Sequence, residues 1–156
     1  MQAGIRLSVG VPDQLDGRLL VIFDGGCVLC NRSMRWLLRR DRADRLRFAP
    51  SQSPGVSSLL ARAGFSASAM PGGPGTILVV RHAGTPSERI LVRSAATVAL
   101  LASLPAPWPV AAAALWCLPR PVRDVAYRLV ARWRHRLGGR LETCMLPGDK
   151  ESGHFL

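Results

Sequence analysis

Two cysteines three positions apart, Cys27 and Cys30, follow an apolar run and a pair of glycines in the stretch Leu19-Leu20-Val21-Ile22-Phe23-Asp24-Gly25-Gly26-Cys27-Val28-Leu29-Cys30-Asn31. The order predicts a strand, a tight turn and a helix, with both thiols in the first helical turn. The first amides of a helix lack intrahelical acceptors, and the helix dipole adds partial positive charge there. Both effects favour a thiolate, the reactive form of cysteine. Three helical residues turn through about 300° and rise roughly 4.5 Å, so the two side chains share one side of the helix. That spacing allows the separation of about 4.4–6.8 Å between Cα atoms that a disulfide needs. Gly25 and Gly26 permit backbone angles closed to other residues and leave room for a substrate chain. Asp24 is the candidate proton-transfer group. It would equally serve to tie down the turn by accepting backbone N–H bonds.

Two other chemistries fit the same pair. A structural zinc site needs about four ligands, and Cys117, Cys144, His82, His135 and His154 are the remaining candidates. No two of these have the usual paired spacing. Inert, buried thiols are the third possibility.

Several separated motifs carry a resemblance to a known family. Asp24-Gly25-Gly26-Cys27-Val28-Leu29-Cys30-Asn31 resembles the signature of the thiol-disulfide oxidoreductase DCC family. Arg40-Asp41, Leu46–Ala49 and Ser51–Ser53 are similar to its next strand and loop, and Val92–Ala96 to its strand-to-helix junction. Pro121–Tyr127 and Gly138 through Pro147 are similar to its C-terminal signature. The resemblance covers roughly residues 19–147. It implies a thioredoxin-like fold and dithiol–disulfide chemistry, and it includes a cysteine at Cys144, a possible additional thiol. Thioredoxin-like proteins usually set a cis-proline just before the third strand. Here Gly75-Thr76 occupies that place and Pro74 stands one residue early, so either Pro74 does that work from a shifted position or Thr76 meets the substrate, and Thr76 is the favoured one.

The elements that must position these groups are readable in order. Leu19–Asp24 predicts a central strand buried on both faces. Val28–Arg40 predicts a helix with Cys30, Met34, Leu37 and Leu38 inward and Arg32, Arg35 and Arg39 outward. Arg45–Pro50 alternates like a strand. Ser53-Pro54 opens a second helix with Val56, Leu59, Leu60 and Ala63 as its stripe. Thr76–Val80 and Glu88–Val92 predict a hairpin around Gly84 and Pro86. Ser94 is expected to cap a helix running to Ser103, with Val98, Leu101 and Leu104 inward. The fold class expected is α/β, a thioredoxin-like mixed sheet with flanking helices and a C-terminal helical extension. The expected organisation is one domain over 1–156, with its core at 18–104, the extension at 105–147, and loose ends at 1–17 and 148–156.

Ala95 to Pro119 carries no charge. A spanning helix needs about 20 apolar residues, and Pro105, Pro107 and Pro109 interrupt this run. Two helices are expected instead, with Val110–Leu118 on the core and Cys117 buried and inert. Pro121–Leu137 predicts an amphipathic helix. Its stripe of Val122, Val125, Ala126, Leu129, Val130, Trp133 and Leu137 is expected to cover the core, with arginines facing solvent. The alternative is a face that docks on anionic lipid or an acidic partner.

The net charge of +11 comes from 21 basic residues, all arginine except Lys150, against 10 acidic ones. It predicts attraction to acidic partners. The arginines lack interleaved Phe and Tyr, so no specific nucleic-acid binding is expected. No secretory pattern opens the chain, so a cytoplasmic location is expected, and there a Cys-x-x-Cys pair is more often catalytic than structural. The reading is a thiol-disulfide oxidoreductase acting on a protein or small-molecule disulfide or thiol, with no metal or organic cofactor. Cys27, nearer the exposed helix end, is expected to attack, and Cys30, more buried, to resolve. A membrane-surface module with non-catalytic cysteines and a small zinc protein are the alternatives.

Overall fold

The computed structural model describes Leu15 and residues 17–51, 53–62, 76–83 and 85–138. The expected loose ends, Ala63, Pro74 and Cys144 lie outside the described residues. Nine elements follow in order: β1 (Leu19–Phe23), α1 (Val28–Leu38), β2 (Leu46–Pro50), α2 (Pro54–Arg62), β3 (Leu78–Arg81), β4 (Arg89–Val92), α3 (Arg93–Ser103), α4 (Trp108–Cys117) and α5 (Arg120–Gly138). The strands form one mixed sheet in the order β2-β1-β3-β4. β1 and β2 are parallel, with Leu19 opposite Leu46 and Phe23 opposite Pro50. β1 and β3 are antiparallel, as are β3 and β4. This is the thioredoxin-like α/β arrangement expected from the order of elements.

Period-2 alternation divides the apolar residues of β1 between two layers. Val21 and Phe23 join Leu46, Phe48 and Val79 beneath α1 and α3, in a core that includes Cys27, Cys30, Met34 and Leu37. Leu20 and Ile22 face the other way, onto Val56, Leu59 and Leu60 of α2. Phe23 and Phe48 are wholly buried, and each large apolar side chain so placed contributes about 1.5–3 kcal/mol. The sheet centre that carries the cysteines is therefore held from both faces.

Polar contacts fix the end of β1 and β2 remote from the cysteines. The buried Asp41 carboxylate accepts the amides of Arg45 at 3.0 Å and Leu46 at 2.8 Å. Asp44 pairs with Arg47 at 2.6 Å and Arg18 at 2.9 Å. The Arg47 hydrogen bond, with further help from Arg18, holds the Asp44 carboxyl well below the usual carboxylate range, against the opposing effect of burial. A depressed carboxylate contributes stability above its unfolded pKa, and that contribution is lost as pH falls through the folded value. Asp44→Asn should therefore lower the melting temperature at pH 7. The gap to wild type should shrink below about pH 4, where the unfolded carboxylate takes up its proton. Asp44 is partly exposed, so the loss should be about 1 kcal/mol or less. Paired melts at pH 7 and pH 3 check it.

Four placements differ from expectation. Val92, not Ser94, is the N-cap of α3; the Ser94 hydroxyl instead donates to Asp124 on α5. The inward face of α3 is Ala96, Ala99 and Leu100, with Leu104 beyond its end, while Val98 and Leu101 are only half-buried. Small residues let α4 pack closely on α3. Cys117 is exposed rather than buried, and Ala112 is the buried residue of α4. Finally, α5 is turned over: Val122, Val125, Leu129, Val130 and Trp133 face outward, and Asp124, Tyr127 and Ala131 lie on the inner side. Polar bonds to Ser94 and to the Ile77 amide just before β3 accompany this rotation. The break between α3 and α4 falls at the prolines, as expected, and no described helix is long and apolar enough to cross a membrane.

Candidate functional site

The cysteines lie where β1 hands over to α1. Phe23 ends the strand, and the amide of Cys27 donates to the carbonyl of Asp24 at 3.2 Å, closing a turn. Asp24 accepts the amide of Gly26 through its carboxylate at 3.0 Å. Asp24 thus makes a turn-fixing contact, one of the two roles expected for it. Cys27 is the N-cap of α1, in extended conformation, and its Sγ accepts the amide of Cys30 at 3.4 Å. One orphan amide of the helix start is therefore aimed at sulfur, as the motif's position requires.

Asn31 completes the turn, and its part was not foreseen from sequence. Its buried Nδ2 donates to the carbonyl of Gly25 at 2.8 Å and of Cys27 at 3.0 Å. One side chain thereby clamps the glycine turn to the helix carrying the thiols. The only signal was position: an amide one helical turn beyond Cys27 can reach back to the N-cap backbone.

Access differs from expectation. Cys27 is 1% exposed and Cys30 is 4% exposed, so both thiols are buried and Cys27 is the deeper. Both are free thiols. Cys30 lines an apolar cleft of about 100 Å³ between α1 and α5, with Leu29, Ser33, Ile77, Tyr127, Val130 and Ala131. The expected order, Cys27 outer and Cys30 inner, is thus corrected. The cause is the N-cap geometry, which directs the Cys27 sulfur to the helix amides, while the helical turn sets Cys30 toward α5.

The expected substrate contacts are also placed. Gly25 is buried and Gly26 half-buried. Thr76 is buried, just before β3. The next amide, Ile77, donates to the hydroxyl of Tyr127 on α5 at 3.2 Å. Tyr127 is the chain's single tyrosine, and its hydroxyl ties α5 to the backbone just before β3. Tyr127→Phe removes that acceptor. It should cost about 1 kcal/mol and speed amide exchange at Ile77, which NMR hydrogen exchange reads directly.

The α5 contact is strengthened at Asp124. The Ser94 hydroxyl bond holds its carboxyl below the usual carboxylate range; burial opposes this, and Arg120 and Arg93 assist. Trp36 meets Trp108 edge-on at 4.6 Å, and the Arg40 guanidinium lies 4.1 Å from the Trp36 ring centre. These rings pack α1 against the start of α4. Among the described residues, no group of three or more His, Cys, Asp or Glu side chains is arranged to hold a metal ion.

Comparison with known proteins agrees with the motif. The chain is 29% identical over 144 residues to the uncharacterized protein YuxK of Bacillus subtilis, covering 92% of this chain and 97% of that one. It is 30% identical over 131 residues to the chloroplastic DCC family protein At1g52590 of Arabidopsis thaliana, covering 84% and 71%. No solved structure matches the chain significantly. The model of the DCC1-like thiol-disulfide oxidoreductase family matches residues 21–140, a span that holds both cysteines, the asparagine clamp and α5, and the chain belongs to that family.

Proposed function

We propose that the protein exchanges its Cys27–Cys30 pair between dithiol and disulfide with a protein or small-molecule disulfide or thiol substrate. The observation that carries this reading is the N-cap sulfur of Cys27, which accepts the Cys30 amide at 3.4 Å while its partner thiol sits one turn along the same helix. An amide donor favours negative charge on sulfur, and the thiolate is the nucleophile. Cys27 attacks one sulfur of a substrate disulfide, and the other leaves as a thiolate. The Cys30 thiolate then attacks the Cys27 sulfur of the mixed disulfide and releases the second substrate thiol. The substrate gains two electrons and the pair closes into a ring. The reverse sequence oxidises a substrate dithiol. Asp24, through its bond to Gly26, is a positioning residue for the turn.

A second assignment of roles is favoured by the cleft. Cys30, not Cys27, lines a space open to solvent, so a substrate that enters between α1 and α5 meets Cys30 first. Cys27 would then resolve. The single-cysteine variants separate the two assignments. With Cys27 attacking, Cys30→Ser accumulates a mixed disulfide on Cys27. With Cys30 attacking, Cys27→Ser accumulates one on Cys30. Failure of both variants to form any adduct would remove the exchange reading.

Burial predicts slow chemistry from bulky reagents in either case. The native protein should react with a maleimide at Cys117 well before Cys27 or Cys30, because Cys117 is the exposed thiol of the three described. Peptide mapping after timed labelling checks this. Rates for all three should converge in denaturant.

A further inference from the structure

We infer that the outward face of α5, continued by the exposed end of α4, docks on an anionic lipid bilayer surface. The large apolar side chains exposed among the described residues all lie between positions 110 and 133. On α5, Val125, Leu129, Val122 and Trp133 are each about half exposed. At about 100° per residue, they and Val130 span an outward arc of roughly 140°. Arg128 and Arg132 lie along one flank of that arc and Arg136 just within it, all three exposed. The inner side is used by Asp124, Tyr127 and Ala131. The helix is therefore amphipathic with its apolar side away from the protein core.

Charge selects the occupant. The segment 120–138 holds six arginines and one acidic residue, Asp124. Asp124 is turned inward to Ser94, so the exposed face carries cations and apolar groups without an exposed carboxylate. A second copy of the chain would bring two such cationic helices together, which is unfavourable. An apolar arc bordered by arginines, with tryptophan on it, suits a helix lying in the headgroup boundary of an anionic membrane. Arginine side chains there can bury their stems and keep the guanidinium among phosphates. The exposed Trp116, at the end of α4, adjoins the same helix through the Arg123 guanidinium, 5.1 Å from its ring centre. Val130 belongs both to the arc and to the Cys30 cleft wall, so docking carries that cleft to the lipid boundary. Docking stands independently of thiol exchange, because it uses neither sulfur.

The test is sedimentation of the full chain with vesicles of phosphatidylglycerol and phosphatidylcholine, against vesicles of phosphatidylcholine alone. Partitioning should be at least tenfold stronger on the anionic vesicles, should fall steeply with added salt, and should shift tryptophan fluorescence to the blue. Leu129→Glu should abolish it. The double variant Arg128→Gln, Arg132→Gln, whose side chains are exposed and whose fold circular dichroism verifies, should weaken it at least fivefold. That variant carries the test if Leu129→Glu unfolds. Absence of anionic-vesicle binding, equal binding to neutral vesicles, or binding unchanged in the arginine variant overturns the proposal. So does a wild-type dimer that Leu129→Glu converts to monomers without vesicle binding, because the face is then an interface between copies.

Discussion

Cys27→Ser should abolish net disulfide reduction, lowering turnover at least a hundredfold, and Cys30→Ser should do the same. The two losses should not be alike in kind. A lone Cys27 has the Cys30 backbone amide still directed at its sulfur, since the serine substitution at position 30 keeps that amide. It should therefore take up a substrate thiol and hold it, because no second sulfur remains to release it. A lone Cys30 lies on the cleft wall without the N-cap position. If charge on sulfur governs the first attack, it should form an adduct at least tenfold more slowly than lone Cys27. If access governs, the order inverts. Intact-mass measurement of each variant after reaction with glutathione disulfide shows which factor wins. Each serine sets a hydroxyl in an apolar core, so some loss of stability is expected, and melts of both variants separate it from the loss of exchange.

Asn31→Ala should be the most damaging substitution near the site that touches no sulfur. It removes the donor shared by the carbonyls of Gly25 and Cys27, at 2.8 and 3.0 Å, in a buried setting. The Cys27 carbonyl keeps the Asn31 backbone amide at 3.0 Å, but the Gly25 carbonyl loses its side-chain donor. Leaving a buried acceptor unpaired costs about 1–3 kcal/mol, and loss of the side chain adds a small cavity. We expect a loss of about 2–3 kcal/mol and a tenfold or greater fall in exchange rate, because the turn that holds Cys27 as N-cap is released. Asn31→Asp keeps the shape but sets a carboxylate against two carbonyls, so it should be no better than alanine. Exchange rates measured well below the melting temperature, where the variant remains folded, distinguish this from simple unfolding. Urea melts of the same samples measure the stability term.

How much of this was readable from residue order depends on how local each determinant is. The strand Leu19–Phe23, the start of a helix at the two cysteines and the strand ending at Pro50 follow from short-range pattern, and the structure has them in place. The inward set of α1, including Met34 and Leu37, was equally plain from helical period. The orientation of α5 was not. Its stripe from Val122 to Trp133 looks like a core face, yet it is turned outward, and the Ser94–Asp124 and Tyr127–Ile77 bonds accompany that rotation. Those partners are 30 and 50 residues apart, and periodicity within a helix carries no information about them. The relative burial of Cys27 and Cys30 failed for a similar reason. A helix start is not an exposed place when its sulfur turns back to the helix amides and packs into the core. Asn31 stood in the motif, but its role depended on two carbonyls brought near by the turn.

The most direct test of the account is a redox titration of the wild-type protein across a graded glutathione series, with thiols trapped by acid and alkylated under denaturing conditions. A single two-electron transition, with a Cys27–Cys30 disulfide in the oxidised form, absent from Cys27→Ser, is the predicted result. Two thiols that stay reduced across the series, or that oxidise only to separate glutathione adducts without ever joining, would contradict it.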